Sequence, residues 1–199
     1  MEYFNTIEQE SQAEYKDRGS KFIAYAYPLN SPDEFKKYLH NLKKEHPKAV
    51  HHCFAYRIGL DGNQFRVSDD GEPSGTAGKP ILGQIDSKVI TNICIIVVRY
   101  FGGTLLGVPG LINAYKMAAL LVLQVVPIVQ KPVLINYSIQ FDYTQMNDIM
   151  IILKQLQCVI IQQETQLFSI IKVGVPKNRG QELEYRIKNL RNVEIAILL

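Results

Sequence analysis

Between residues 51 and 115 the chain sets a segment rich in glycines, acids and paired histidines among apolar runs, and that arrangement limits what it can fold into. The order is His51-His52-Cys53-Phe54-Ala55-Tyr56-Arg57-Ile58-Gly59, then Ser68-Asp69-Asp70-Gly71-Glu72-Pro73-Ser74-Gly75-Thr76-Ala77-Gly78-Lys79-Pro80. Ile93-Cys94-Ile95-Ile96-Val97-Val98 follows and leads into Arg99-Tyr100-Phe101-Gly102-Gly103. The last apolar run is short and β-branched, which suits a buried strand. Polar groups packed this densely beside core strands point to a site.

The flanks read as regular elements. Ile23, Tyr25 and Tyr27 alternate with Ala24 and Ala26 up to Pro28, a strand pattern. Ser31 is placed to cap a helix with Pro32 in its first turn and Asp33 and Glu34 at the positive end of the dipole, and that helix should stop before Pro47. Residues 50–60 and 63–68 flank Asp61-Gly62, which predicts a tight hairpin. On its first strand His51, Cys53 and Ala55 share one face and His52, Phe54 and Tyr56 the other, so the two histidines should diverge. A short helix over 74–84, capped by Ser74, and a long one over 105–123 are expected, with Pro109 tolerable in a first turn. The chain is best divided within 125–132, which holds Pro127 and Pro132, and beyond it the pattern reads strand 135–141, helix 146–156, strands 158–164 and 167–175, a helix carrying Leu183, Ile187 and Leu190, and a strand carrying Val193, Ile195 and Ile197. That order, βαββαβ, predicts a ferredoxin-like unit.

Bulk properties exclude little beyond the extremes. Net charge is +3 from 22 basic and 19 acidic residues, too balanced to demand a nucleic-acid partner and too weak to exclude one. Cys53, Cys94 and Cys158 lie far apart in apolar settings, which argues against a disulfide framework or zinc cluster and for the cytosol. The run Met117 to Val129 is broken by Gln124 and Pro127 and is short for a bilayer, so no membrane role is expected.

Several chemistries meet an obstacle at a named residue. A phosphate-cradling P-loop fails because Gly71 and Gly78 are too far apart and Pro80 stands where a magnesium-binding hydroxyl is needed. A serine elbow fails at Glu72, where glycine is required, leaving Ser74 as a cap. Cys94 in its apolar strand is a packing residue. A metal could be held by Asp69, Asp70 and Glu72 with His51 or His52, though nothing in the spacing forces it. Ser74, Thr76 and Lys79 with Arg99 could hold an anion at a helix start. Arg99, ending a buried strand, needs either a ligand or a carboxylate such as Asp69, Asp70 or Glu72.

Four segments together resemble the IMPACT family, in particular its bacterial YigZ-like branch. They are Arg18-Gly19-Ser20-Lys21-Phe22-Ile23-Ala24, His51-His52-Cys53 through Gly59, Ser68 through Gly78, and Arg99 through Gly103. The resemblance implies an α+β protein of two domains. The first, 1–130, would be like the second domain of a ribosomal small-subunit protein; the second, 133–199, would be ferredoxin-like, similar to the last domain of elongation factor G. Translation is the theme the resemblance supplies, since eukaryotic relatives regulate its initiation through a protein partner. It supplies no particular reaction for the bacterial branch. Against the family pattern, Leu105 replaces a lysine, Val108 and Pro109 replace a small residue and a glycine, and Asn113 replaces an arginine. Fewer cations at this helix imply weaker and less salt-sensitive binding of nucleic acid.

The expectation is therefore a cytosolic, translation-linked binding protein that contacts RNA, the ribosome or a translation factor, using no cofactor or metal. Its ligand-binding residues would be His51, His52, Asp69, Asp70, Glu72, Ser74, Thr76, Lys79, Arg99, Gly102 and Gly103. The alternative is a hydrolase or transferase built on Asp69, Asp70, Glu72 and His51.

Overall fold

The computed structural model describes residues 1–165 and 168–198. Residue 167, the first of the expected strand 167–175, lies outside them. The protein is of mixed α and β structure and divides into two compact units, Phe4–Lys131, and Pro132–Leu199 together with Met1–Tyr3.

The larger unit is built on five antiparallel strands. In chain order they are β2 (Ser11–Asp17), β3 (Ser20–Pro28), β4 (His51–Ile58), β5 (Gln64–Ser68) and β6 (Ile93–Tyr100), arranged β2-β3-β6-β4-β5. Helix α1 (Pro32–Glu45) covers one face, where Phe35 and Leu42 pack with Phe54, Tyr56, Ile96 and Val98. Helices α2 (Gly78–Ser87) and α3 (Gly107–Val125) cover the other, where Ile81, Ile85, Ala114 and Ala118 meet Cys53, Ala55, Ile95 and Val97. The central strand β6 is buried on both faces, which explains its unbroken apolar run. Each such side chain contributes roughly 1.5–3 kcal/mol by leaving water.

Cap and period place α1 as the sequence predicts. Ser31 Oγ accepts from Glu34 N at 3.3 Å, and the helix ends at His46, one residue before Pro47. Helix α3 is long and apolar enough to cross a membrane by length and composition. Its Leu111, Tyr115, Ala119 and Val122 are buried in the unit's core, so its apolarity serves packing.

The structure corrects the expected hairpin and adds further strands. The hairpin of β4 and β5 exists, but its loop runs from residue 59 to 63 because Asp61 folds its carboxylate back onto Asn63 N at 3.2 Å, and positive φ falls on Gly59 and Gly62. Within the stretch 125–132, Ile128–Pro132 forms β7, which pairs with β1 (Tyr3–Ile7) in a two-stranded sheet. Strand β2 was not foreseen. It joins β3 through Arg18 and Gly19, both at positive φ as a type I′ turn requires.

The smaller unit carries strands β8 (Leu134–Phe141), β9 (Val159–Thr165), β10 (Ser169–Pro176) and β11 (Val193–Ile197), with helices α4 (Met146–Gln155) and α5 (Gly180–Lys188). The sheet is antiparallel in the order β11-β8-β10-β9. Tyr137, Ile139, Phe141, Ile171 and Val173 alternate inward to meet Ile149, Leu153, Leu183 and Ile187 of the helices. Their period-2 and period-3.6 patterns are what made this unit readable.

Candidate functional site

Strand pairing fixes the floor. Phe22 lies opposite Arg99 across β3 and β6, and His51 lies opposite Arg99 across β6 and β4, so the three side chains form one row on the α3 face. Arg99 is 5% exposed. Its guanidinium lies 5.4 Å from the Phe22 ring and 5.7 Å from that of Phe101, a cation–π setting that replaces part of its lost hydration.

The counter-charge comes from Glu72, in the loop between β5 and α2. Its Oε1 accepts from Arg99 Nη1 at 2.5 Å and from the Tyr115 hydroxyl of α3 at 2.7 Å. His51 Nε2 is 3.8 Å from the same oxygen. Both members of the ion pair are nearly closed to water, so each depends on the other to offset the cost of its desolvation. Cys53 Sγ is within reach of the Asp69 carbonyl, at 3.0 Å, and of the Tyr115 hydroxyl oxygen, at 3.3 Å. Burial pushes the Cys53 thiol and the Tyr115 hydroxyl far above their ordinary values, so neither is a ready nucleophile or base.

The two aspartates hold the loop itself. Asp69 Oδ1 accepts from Ala77 N at 2.9 Å and Gly78 N at 2.8 Å, while Oδ2 accepts from Gly75 N at 2.8 Å. Burial opposes its charge, but the three backbone donors outweigh burial and hold the carboxyl below the usual carboxylate range. Asp70 takes positive φ, its Oδ2 accepts from His52 N at 2.7 Å, and its carbonyl accepts from His51 Nδ1 at 2.7 Å. With Nδ1 donating to that carbonyl, the ring of His51 turns Nε2 toward Glu72.

Two further contacts tie the surrounding elements together, one at the far end of β4 and one beside the rim. Arg57 donates to Asp86 Oδ1 from Nε at 2.9 Å and Nη2 at 2.7 Å, tying α2 to β4. Gly102 passes so near the β2–β3 turn that an added Cβ would sit 1.9 Å from the Gly19 carbonyl carbon, and its N–H donates to Ser20 Oγ at 3.2 Å.

The eleven residues singled out in the sequence thus separate. His51, Asp69, Asp70, Glu72 and Arg99 are brought together, mostly to bond one another or the loop backbone. His52 points away, as alternation predicts, into the α1 face, where burial lowers its proton affinity and its Nε2 has no hydrogen-bond partner. Thr76 is buried and spends its hydroxyl on the Pro73 carbonyl at 2.7 Å. Ser74, Lys79, Gly102 and Gly103 are exposed. Ser74 is no cap: α2 begins at Gly78, and Asp69 supplies from a distance the acceptor that Ser74 was expected to give. Tyr115, Phe22 and Cys53 were missed as members of the network. Tyr115 was open to detection as the one hydroxyl in the apolar stripe of a core helix.

As chemistry, this is a neutralised buried knot under an exposed loop surface. Among the described residues, no group of three or more His, Cys, Asp or Glu side chains is placed to hold a metal ion. Asp69 and Glu72 already accept from nearby donors. The exposed rim offers glycine backbone, the Ser74 hydroxyl, the Lys79 ammonium and the aromatic face of Phe101.

The chain resembles known proteins over nearly its whole length. The model of the Impact N-terminal domain matches residues 18–123. The IMPACT family member YigZ of Escherichia coli strain K12 is 34% identical over 181 residues, 90% of this chain and 89% of that protein. The IMPACT family member YvyE of Bacillus subtilis strain 168 is 34% identical over 147 residues, 74% of this chain and 67% of that protein. A solved structure described only as that of a hypothetical protein aligns with a TM-score of 0.79 at 30% identity, covering 100% of this chain and 98% of its own.

Proposed function

The chain belongs to the IMPACT family, and from that premise we propose that it is a cytosolic, translation-linked binding protein whose larger unit contacts RNA, the ribosome or a translation factor through the exposed loop rim above Arg99. The observation that carries this reading is the mutual neutralisation of Glu72, Arg99 and Tyr115 beneath that rim. Groups kept for catalysis stay available to a substrate, whereas Glu72 Oε1 is engaged by both Arg99 Nη1 and the Tyr115 hydroxyl, with Arg99 Nε buried and left without a hydrogen-bond partner. The smaller unit is read as a ferredoxin-like domain similar to the last domain of elongation factor G, a reading supported by its β11-β8-β10-β9 order. The larger is read as akin to the second domain of a ribosomal small-subunit protein.

Cations left on the rim are few. Leu105 is 82% exposed and Asn113 is exposed, at positions where the family resemblance leads one to expect lysine and arginine. Lys79 and Lys116 remain, both exposed. Filter binding to single-stranded RNA and co-sedimentation with ribosomes, each over a salt series, test the proposal with the Lys79→Ala, Lys116→Ala variant. If both lysines meet phosphates, affinity falls and the log–log salt slope drops by roughly 1.4. A variant matching the wild type against RNA, ribosomes and purified translation factors removes this rim as the contact surface.

A further inference from the structure

On the α1 face of the same sheet, opposite the Arg99 row, lies a cavity of ≈ 360 Å³ lined by Glu10, Ser11, Gln12, Tyr25, Tyr27 and Glu45. We infer that it is a binding site for an organic cation, an ammonium or guanidinium group, received on the tyrosine rings between the two carboxylates.

The wall is built before any ligand arrives. Tyr25 and Tyr27 stand two residues apart on β3 with their rings 6.3 Å apart and 6° from parallel, and Tyr27 stacks in turn on Tyr38 of α1 at 4.4 Å and 8°. The Tyr25 hydroxyl is hydrogen-bonded to His46 Nε2 at 2.7 Å, and His46 Nδ1 to the Tyr100 hydroxyl at 2.9 Å, so the Tyr25 ring is anchored at its hydroxyl by a fixed histidine. Aromatic faces carry negative potential and attract cations, more so where water is partly excluded. A fixed wall avoids much of the ordering cost of binding.

The charge of the lining has one sign. Glu10 and Glu45 are its carboxylic acids, both exposed, and among the described residues no lysine or arginine lines the cavity. Their fields are felt by the rings: burial first, then Glu45, raises the Tyr25 hydroxyl to about 12, and burial first, then Glu10, raises that of Tyr27 further. An anion would meet two carboxylates here with His46 Nε2, 3.7 Å from Glu45 Oε1, as the nearby basic group, whereas a cation complements them. The space suits one side-chain end or a small amine, and its place against β2, the edge strand, leaves it open to a partner's side chain as well as to a free molecule.

The test follows the tyrosine ring resonances of the full chain by NMR during titration with tetramethylammonium, and separately with the peptides Gly-Arg-Gly and Gly-Lys-Gly. Saturable shifts at Tyr25 and Tyr27, with the exposed Tyr143 and Tyr185 unmoved, are the expected result. The Glu10→Gln, Glu45→Gln variant alters only exposed groups, so it should fold normally and bind about tenfold more weakly. Saturation by tetramethylammonium identifies a site for free amines; saturation by the peptides alone identifies a reader of a cationic side chain. Linear, non-saturating shifts with every probe, or saturation unchanged in the folded double variant, overturns the inference.

Discussion

At the residue scale, the governing fact is that Arg99 and Glu72 have each other. Removing either alone leaves a charge closed off from water, a loss of about 3–5 kcal/mol, while replacing both by apolar residues of similar size can be close to neutral. His52 is a different case: a buried imidazole whose Nε2 has no hydrogen-bond partner. Burial lowers its folded-state proton affinity, so the unfolded chain takes up the proton first as the solution is acidified. Stability should therefore fall as the pH drops through about 6.5, the ordinary histidine value. Urea midpoints on either side of that pH should shift less in His52→Leu than in the wild type; equal shifts would assign the acid sensitivity to other groups. The sequence placed His52 on the face away from His51, because alternation needs only the strand. It did not show that Nε2 would be unpartnered, since that depends on what α1 brings above it.

At the element scale, what was readable was local and what was missed was supplied from elsewhere in the chain. Helix α1 carries its own stop and start, with Ser31, Pro32 and the dipole-matched acids. Helix α2 carries neither, and its N-terminal N–H groups are satisfied by Asp69, nine residues before Gly78. A serine at the expected place therefore misled. Strand β2 escaped because its inward residues, Ser11, Ala13, Tyr15 and Asp17, are only half-buried at a sheet edge and carry a weak apolar signal. The β2–β3 turn is also where the rim is most sensitive. In Gly102→Ala the new methyl would meet the Gly19 backbone, which no rotamer can relieve. Thermal unfolding should show a loss of about 3 kcal/mol or more. A midpoint within a degree of the wild type would mean that the Gly102 strand end and the turn separate readily.

At the scale of the whole molecule, the two units differ in how far the sequence exposes them. The smaller unit is a regular alternation of strands and helices whose Ile135, Tyr137, Ile139 and Phe141 announce their period, and its six elements could be read in order. In the larger unit the fold was readable around the loop, but the loop's meaning was not. A row of acids, histidine and arginine in a glycine-rich stretch looks the same in sequence whether the groups face a substrate or each other. Only the cross-strand register of Phe22, Arg99 and His51, and the hydroxyl of Tyr115 arriving from α3, reveals that they face each other. In the proposed reading this knot builds the surface and the rim makes the contact. Ribosome co-sedimentation of the Glu72→Leu, Arg99→Met variant tests it most directly, with circular dichroism confirming the fold. Binding should stay within about twofold of the wild type, a difference well under 1 kcal/mol. Binding abolished in a folded variant would contradict it and make the buried pair part of the contact itself.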